Sequence, residues 1–315
     1  MPEPFASPAC FRPRNVHIFA GNGDHLGGTW LNSPAYVTNE EFHEMCEHFV
    51  QFPAARYRWR LHRLGADNTF GARVHRDSGE IQVGRYVVLG NQSQVIPVSL
   101  TGEQSVRRVH SGNPPTSSLR HNQRHFRDGV LRRDGKCVLT GRKGKITAPM
   151  RSLRAAHIFP VARFSLWTQE NYDAWITDTT DNHLISPKKL FSVQNGLLLA
   201  ADVHDSFDAF EVAINPDKGY KTVSFVDDPN GEGGRVLDRS TRDCSPNDRV
   251  NDQCLRWHYH QAVLANMRGA GEKVWEFDHD VDEMGDLIEE DRSGELLELE
   301  FADRLGPYVD VEESN

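Results

Sequence analysis

Long apolar runs are missing from this sequence, and no stretch approaches the eighteen or so residues that a membrane span needs. The opening, Met1 to Arg14, holds four prolines and no apolar run between a basic end and a small-residue cleavage site. A secretory signal is therefore not expected, and the chain is read as intracellular, nuclear or cytoplasmic. Cysteine is scarce: Cys10, Cys46, Cys137, Cys244 and Cys254 are odd in number, widely spaced and never arranged as C-x-x-C. That excludes a disulfide framework and a four-cysteine zinc knuckle. The glycine-rich stretch from Gly21 to Gly28 lacks the Lys-Ser/Thr of a phosphate-binding P-loop, so it is read as a turn joining two strands.

What is present fits a globular protein of 315 residues with one large or two modest cores. A net charge of −9 argues against a nucleic-acid partner until its distribution is read. Residues 272–313 carry 17 acidic and 3 basic side chains, which leaves the remainder of the chain net positive. Within that remainder, residues 105–145 hold eleven Lys and Arg against only Asp128 and Asp134. This segment reads either as a track for a phosphate backbone or as a solvated linker.

Periodicity predicts an α+β protein with a β-rich N-terminal module. Short strand-like runs fall at 16–19, 86–89 and 95–100, and Phe42, Met45, Cys46 and Phe49 recur at helical spacing over 39–52. Thr38 or Asn39 is the expected cap of that helix. The Pro- and Ser-rich run at 111–118 marks a linker, a helix is expected over 122–133, and Cys137 to Thr140 reads as a strand turned by Gly141. A hairpin is expected over 210–226 and a helix over 250–267, where His258 and His260 do not share a face and are taken as structural. The expected units are an N-terminal module at 1–104, a basic linker at 105–127, a finger domain at 128–230, a helical segment at 231–275 and an acidic tail at 276–315, with a thin helix around 296–305.

The chemistry-bearing residues stand in two runs. Ala156-His157-Ile158-Phe159-Pro160 ends a strand-like stretch. Nearly forty residues later, Asn195-Gly196-Leu197-Leu198-Leu199 opens another, which runs into Val203-His204-Asp205-Ser206-Phe207-Asp208. The insert between them contains Phe164, Trp167, Tyr172 and Trp175, expected as the core of a small helical excursion. His204 and Asp208 lie one helical turn apart and so share a face, a pairing able to hold a divalent ion.

Together with Cys137-Val138-Leu139-Thr140-Gly141, these runs resemble the HNH endonuclease superfamily with its ββα-metal finger, and more closely the branch common in filamentous fungi. The resemblance covers roughly a quarter of the chain. It implies phosphodiester hydrolysis of DNA or RNA, with His157 as general base, Asn195 bracing the loop that orients it, and His204 with Asp208 holding a divalent metal, Mg²⁺ first and Mn²⁺ or Zn²⁺ as alternatives. Arg132, Arg133, Arg142, Lys143, Lys145, Arg154, Lys188 and Lys189 are the expected phosphate contacts. Imidazole suits the base role because its ordinary pKa of about 6.5 leaves it mostly neutral at cellular pH. Two departures stand out. Thr140 occupies the place of the second cysteine of a structural zinc pair, and Ala156 occupies the place of a ligand aspartate. Ala156 keeps a second reading open, a non-catalytic nucleic-acid- or protein-binding module; a third, an enzyme of this fold acting on a small metabolite, is favoured if the long insert closes the site.

Overall fold

The computed structural model describes residues 5, 6, 10–33, 36–53, 58–106, 117–144 and 152–272. The fold is α+β. A five-stranded sheet is built from β1 (Val16–Ala20), β2 (His25–Thr29), β4 (Trp59–Leu64), β5 (Phe70–Val74) and β6 (Gly84–Gly90), in the order β2-β1-β6-β4-β5. β1 runs parallel to β6, and the other pairings are antiparallel. A second, two-stranded pairing joins β3 (Val50–Gln51) to β7 (Ser99–Leu100). The glycine-rich stretch makes the turn between β1 and β2 and then most of β2 itself, where at Gly27 a Cβ would lie 1.9 Å from the carbonyl oxygen of Met267. Glycine there lets the C-terminal helix close against the sheet.

A helix, α1 (Asn39–Glu47), buries Phe42, Met45 and Cys46 in the core that also holds Val16, Ile18 and Ala20, and Phe42 lies against Tyr86 of β6 with ring centroids 5.6 Å apart. Thr38 caps it in a capping box: its hydroxyl accepts from Glu41 N, and Glu41 Oε2 accepts from Thr38 N. The helix ends earlier than the expected 52. His48 closes it with tight bonds to Met45 and Cys46, and Val50 is recruited to pair with Leu100. The expected strand over 95–100 shortens to Ser99–Leu100, since Pro97 has no donor for a ladder.

The long helix α2 (Ser117–Asp134) starts well before the expected 122 and takes up the second half of the anticipated linker. No Gly or Pro interrupts 117–128, and Phe126, fully buried, ties this stretch to the core. Cys137 to Thr140 forms a turn instead of a strand, because Cys137 N bonds Arg142 O and Gly141 N bonds Cys137 O. Then come β8 (Leu153–His157), the insert with α3 (Phe164–Gln169) and α4 (Asn182–Ile185), β9 (Gly196–Ala200) and α5 (Ala201–Asp208). The hairpin β10 (Val212–Asn215) and β11 (Lys221–Ser224) follows, and then α6 (Asp252–Met267). Trp167 of the insert is fully buried, and Tyr172 stacks on Trp175 at 4.0 Å. One continuous core links the sheet, the finger and α6, from Val16 to Met267. The acidic tail and the expected helix at 296–305 lie outside the described residues. Among the described residues no helix is long and apolar enough to cross a membrane.

Two histidines of the N-terminal module make stability pH-dependent. His25 is held down to about 4 by burial first and then by the charge of Arg14. His48 is likewise held down to about 4 by burial and then by His260, whose Nδ1 lies 2.7 Å from its own. In the unfolded chain both titrate near about 6.5. As pH falls from 6.5 towards 4 the unfolded state therefore takes up protons that the native state refuses, and stability drops. Melting temperatures measured from pH 7 to 4.5 are expected to fall across this window, with a shallower fall in H25Q/H48Q. Parallel curves for the two proteins would show that these histidines are not the cause.

Candidate functional site

The candidate site forms where β8, β9 and α5 meet. β8 and β9 are antiparallel, with His157 opposite Gly196 and Ala155 opposite Leu198. Strand alternation puts Leu153, Ala155 and His157 on one face, and Arg154 and Ala156 on the other. Ala155 and Ala156 are both fully buried, so the strand is fixed from both sides and delivers His157 at its end. β9 is buried along its whole length and passes directly into α5, which carries His204.

His157 keeps partial exposure as a residue, yet its imidazole is enclosed by aromatic rings. Phe126 of α2 stacks on it with centroids 3.8 Å apart and planes 9° apart, and Phe191 meets it edge-on at 5.5 Å. Nε2 is buried with no hydrogen-bond partner among the described residues. Burial first, and the positive charge of His204 second, push its pKa down to about 3. The histidine is thus held neutral at cellular pH.

Asn195 is fully buried and acts on the backbone. Its Oδ1 accepts from Phe159 N at 2.8 Å, and its Nδ2 donates to the carbonyls of Phe159 and Leu190, each at 3.1 Å. Ile158 N also donates to Asn195 O at 2.9 Å. These bonds fasten the two residues after His157 to the start of β9. With its amide so committed, Asn195 braces the backbone that follows His157.

On α5, His204 Nδ1 lies 3.5 Å from Asp208 Oδ2 and 3.6 Å from Asp205 Oδ1. His204 and Asp208 are buried, while Asp205 is exposed. Two donors about 2.1 Å from one ion stand roughly 3.0–3.4 Å apart, so the His204–Asp208 spacing suits neighbouring positions on a single divalent cation. Among the described residues no three His, Cys, Asp or Glu side chains converge to hold a metal. Ala156, packed in the core, supplies no third donor.

The expected phosphate contacts divide. Arg132 and Lys143 are exposed, Arg154 is half-buried, and Arg142 is exposed but paired with Asp202. Lys188 faces Asp173 at 3.6 Å. One expectation, Arg133, is corrected by burial, and a second, Lys189, is turned partly inward. Arg133, with a side chain only 2% exposed, grips Asp134 through two bonds and donates to the carbonyls of Val193, Gly196 and Asp248. Lys189 donates to the carbonyls of Ile176 and Asp178 and so stitches the insert together. All five donors of Arg133 are so engaged, and Lys189 commits two of its three. Lys145 lies outside the described residues.

Residues 137–215, about a quarter of the chain, match the family model for HNH endonucleases. This segment is an HNH domain. No curated protein and no solved structure is similar enough to the chain to count as a match. The HNH domain depends on neighbours that its motifs do not announce: Phe126 over the histidine, and Asp134, whose Oδ2 accepts from Leu198 N at 2.8 Å in the middle of β9. The one signal in the sequence was the spacing of Phe126, Gly129, Val130 and Arg133, which share a helical face. His258, as expected, is structural: it stacks on Phe207 at 3.7 Å, and its Nε2 meets Phe207 O.

Proposed function

We propose that the HNH domain hydrolyses phosphodiester bonds of DNA or RNA, with His157 as general base and a single divalent cation held by His204 and Asp208. What supports this reading is the packing of α5, which carries His204 and Asp208, against β8, which ends at His157, so that the two histidines belong to one small unit. Hydrolysis requires a proton to leave the attacking water as the phosphorus–oxygen bond to the leaving 3′ oxygen breaks. Neutral His157 takes that proton through Nδ1, because Nε2 is sealed in the aromatic pocket. Asn195 fixes the backbone from which the base projects, and Arg132, Arg142, Lys143 and Arg154 supply positive charge to the flanking phosphates. A divalent ion, Mg²⁺ first among the candidates, would be held by His204 and Asp208 and would offset the charge that develops on the phosphoryl and leaving oxygens.

The test is cleavage of supercoiled plasmid, single-stranded DNA and RNA by the purified chain with Mg²⁺, Mn²⁺ or Zn²⁺ in turn. Cleavage that begins with metal and stops with chelator is expected. A folded protein that binds nucleic acid but leaves every substrate intact with every ion would favour the second reading, a non-catalytic binding module. The buried Ala156, where a ligand carboxylate would otherwise stand, is the feature that favours it.

A further inference from the structure

We propose that Phe126, which lies outside the matched segment, is the positioning residue for the base: its ring fixes the plane of the His157 imidazole. The inference rests on the nuclease reading. A base is usually oriented by a hydrogen bond at its second ring nitrogen, but Nε2 of His157 is enclosed without one among the described residues. Rotation of the ring is blocked instead by the parallel face of Phe126 at 3.8 Å and the perpendicular edge of Phe191 at 5.5 Å.

Space for this stack is made by the residue opposite His157 in the strand pair. A Cβ on Gly196 would lie 2.6 Å from both Cε2 and Cζ of Phe126 and 2.7 Å from Cγ2 of Val130, so any side chain there expels the ring. The helix that carries Phe126 is tied to the same strand at two points. Arg133 donates to Gly196 O at 2.7 Å, and Asp134 accepts from Leu198 N at 2.8 Å. Gly129, one turn on from Phe126, faces Val193, where a Cβ would lie 2.4 Å from Cγ2. Helix and strand are thus locked at close range, and Phe126 has no freedom to slide off the imidazole. The helix also carries exposed Arg124 and Arg132, so one rigid element presents positive charge outside and sets the base inside.

Two readouts test the proposal. A proton above an aromatic face resonates upfield, so the Cε1–H of His157, assigned by its loss in H157Q, is expected upfield of the other histidines and to return to the ordinary range in F126L. In cleavage assays F126L is expected to lower kcat about 10²-fold with KM for nucleic acid unchanged, the size of loss that follows small misplacement of a reacting group. V130A, which empties space on the same helix face, should lose stability and keep kcat. An ordinary His157 resonance in the unmodified protein overturns the stack without recourse to any Phe126 variant. Full kcat in F126L, or an equal loss in V130A at equal stability, overturns the positioning role. A wild-type chain that cleaves nothing overturns the nuclease reading instead, and the resonance separates the two failures.

Discussion

His157→Ala is expected to lower the rate of metal-dependent cleavage roughly 10²- to 10⁴-fold, the usual contribution of a positioned general base, while the concentration of metal giving half-maximal activity stays the same. His204→Ala is expected to behave differently. Removing one of the two donors on α5 raises the metal requirement, so part of the lost activity returns as metal is added. The contrast follows from where the side chains project: His157 ends β8 among aromatic rings, and His204 faces Asp208 at 3.5 Å on the helix. Metal titrations of cleavage rate for both variants, with circular dichroism to confirm the fold, make the comparison. His157→Gln controls for the cavity that alanine leaves beside Phe126. An active His157→Ala enzyme would sink the assignment of the base.

Asp134→Ala is expected to cost about 3–5 kcal/mol of stability, the range for breaking a buried ion pair from one side. Its carboxylate is fully buried, receives Nε and Nη2 of Arg133 at 2.6 and 2.8 Å, and accepts Leu198 N. Burial raises its pKa, and the Arg133 hydrogen bonds and charge and the Leu198 bond only partly oppose that rise. Without Asp134 the guanidinium stays in place with no counter-charge, and a backbone N–H in the middle of β9 loses its acceptor. Replacing Arg133 as well does not restore stability, because the carbonyls of Val193, Gly196 and Asp248 then lose their donor. Urea unfolding of D134A and of R133M/D134A checks this, and a loss below about 1 kcal/mol in D134A would show that the pair does not hold the strand.

The finger was legible in the sequence because its chemistry sits on short, regular elements. A strand ending in His157, a buried strand after Asn195, and an i, i+4 pair on α5 are patterns that one period each can reveal. The hairpin and α6 were legible for the same reason. The support for the site was not, because it comes from distant chain. Phe126 precedes the first motif residue, and nothing local says that its ring will lie on His157. Arg133 and Lys189 look like any surface cation in a basic stretch. Only their tertiary partners, backbone carbonyls that need donors, reveal them as internal braces. The shortened strand at 99–100 had a local cause in Pro97, whereas the long start of α2 was hidden by turn-forming residues just upstream.

The shared core sets a limit on how this domain can travel between proteins. Trp257 of α6 packs against Phe159 at 4.3 Å, and His258 lies flat on Phe207, so rings beyond the matched segment close both ends of the finger. Phe126 closes a third side from upstream. A recombination event that cut the gene at the borders of the family motif would carry away the histidines and leave behind the walls around them. The stretch of chain that keeps the two histidines enclosed extends at least from α2 to α6.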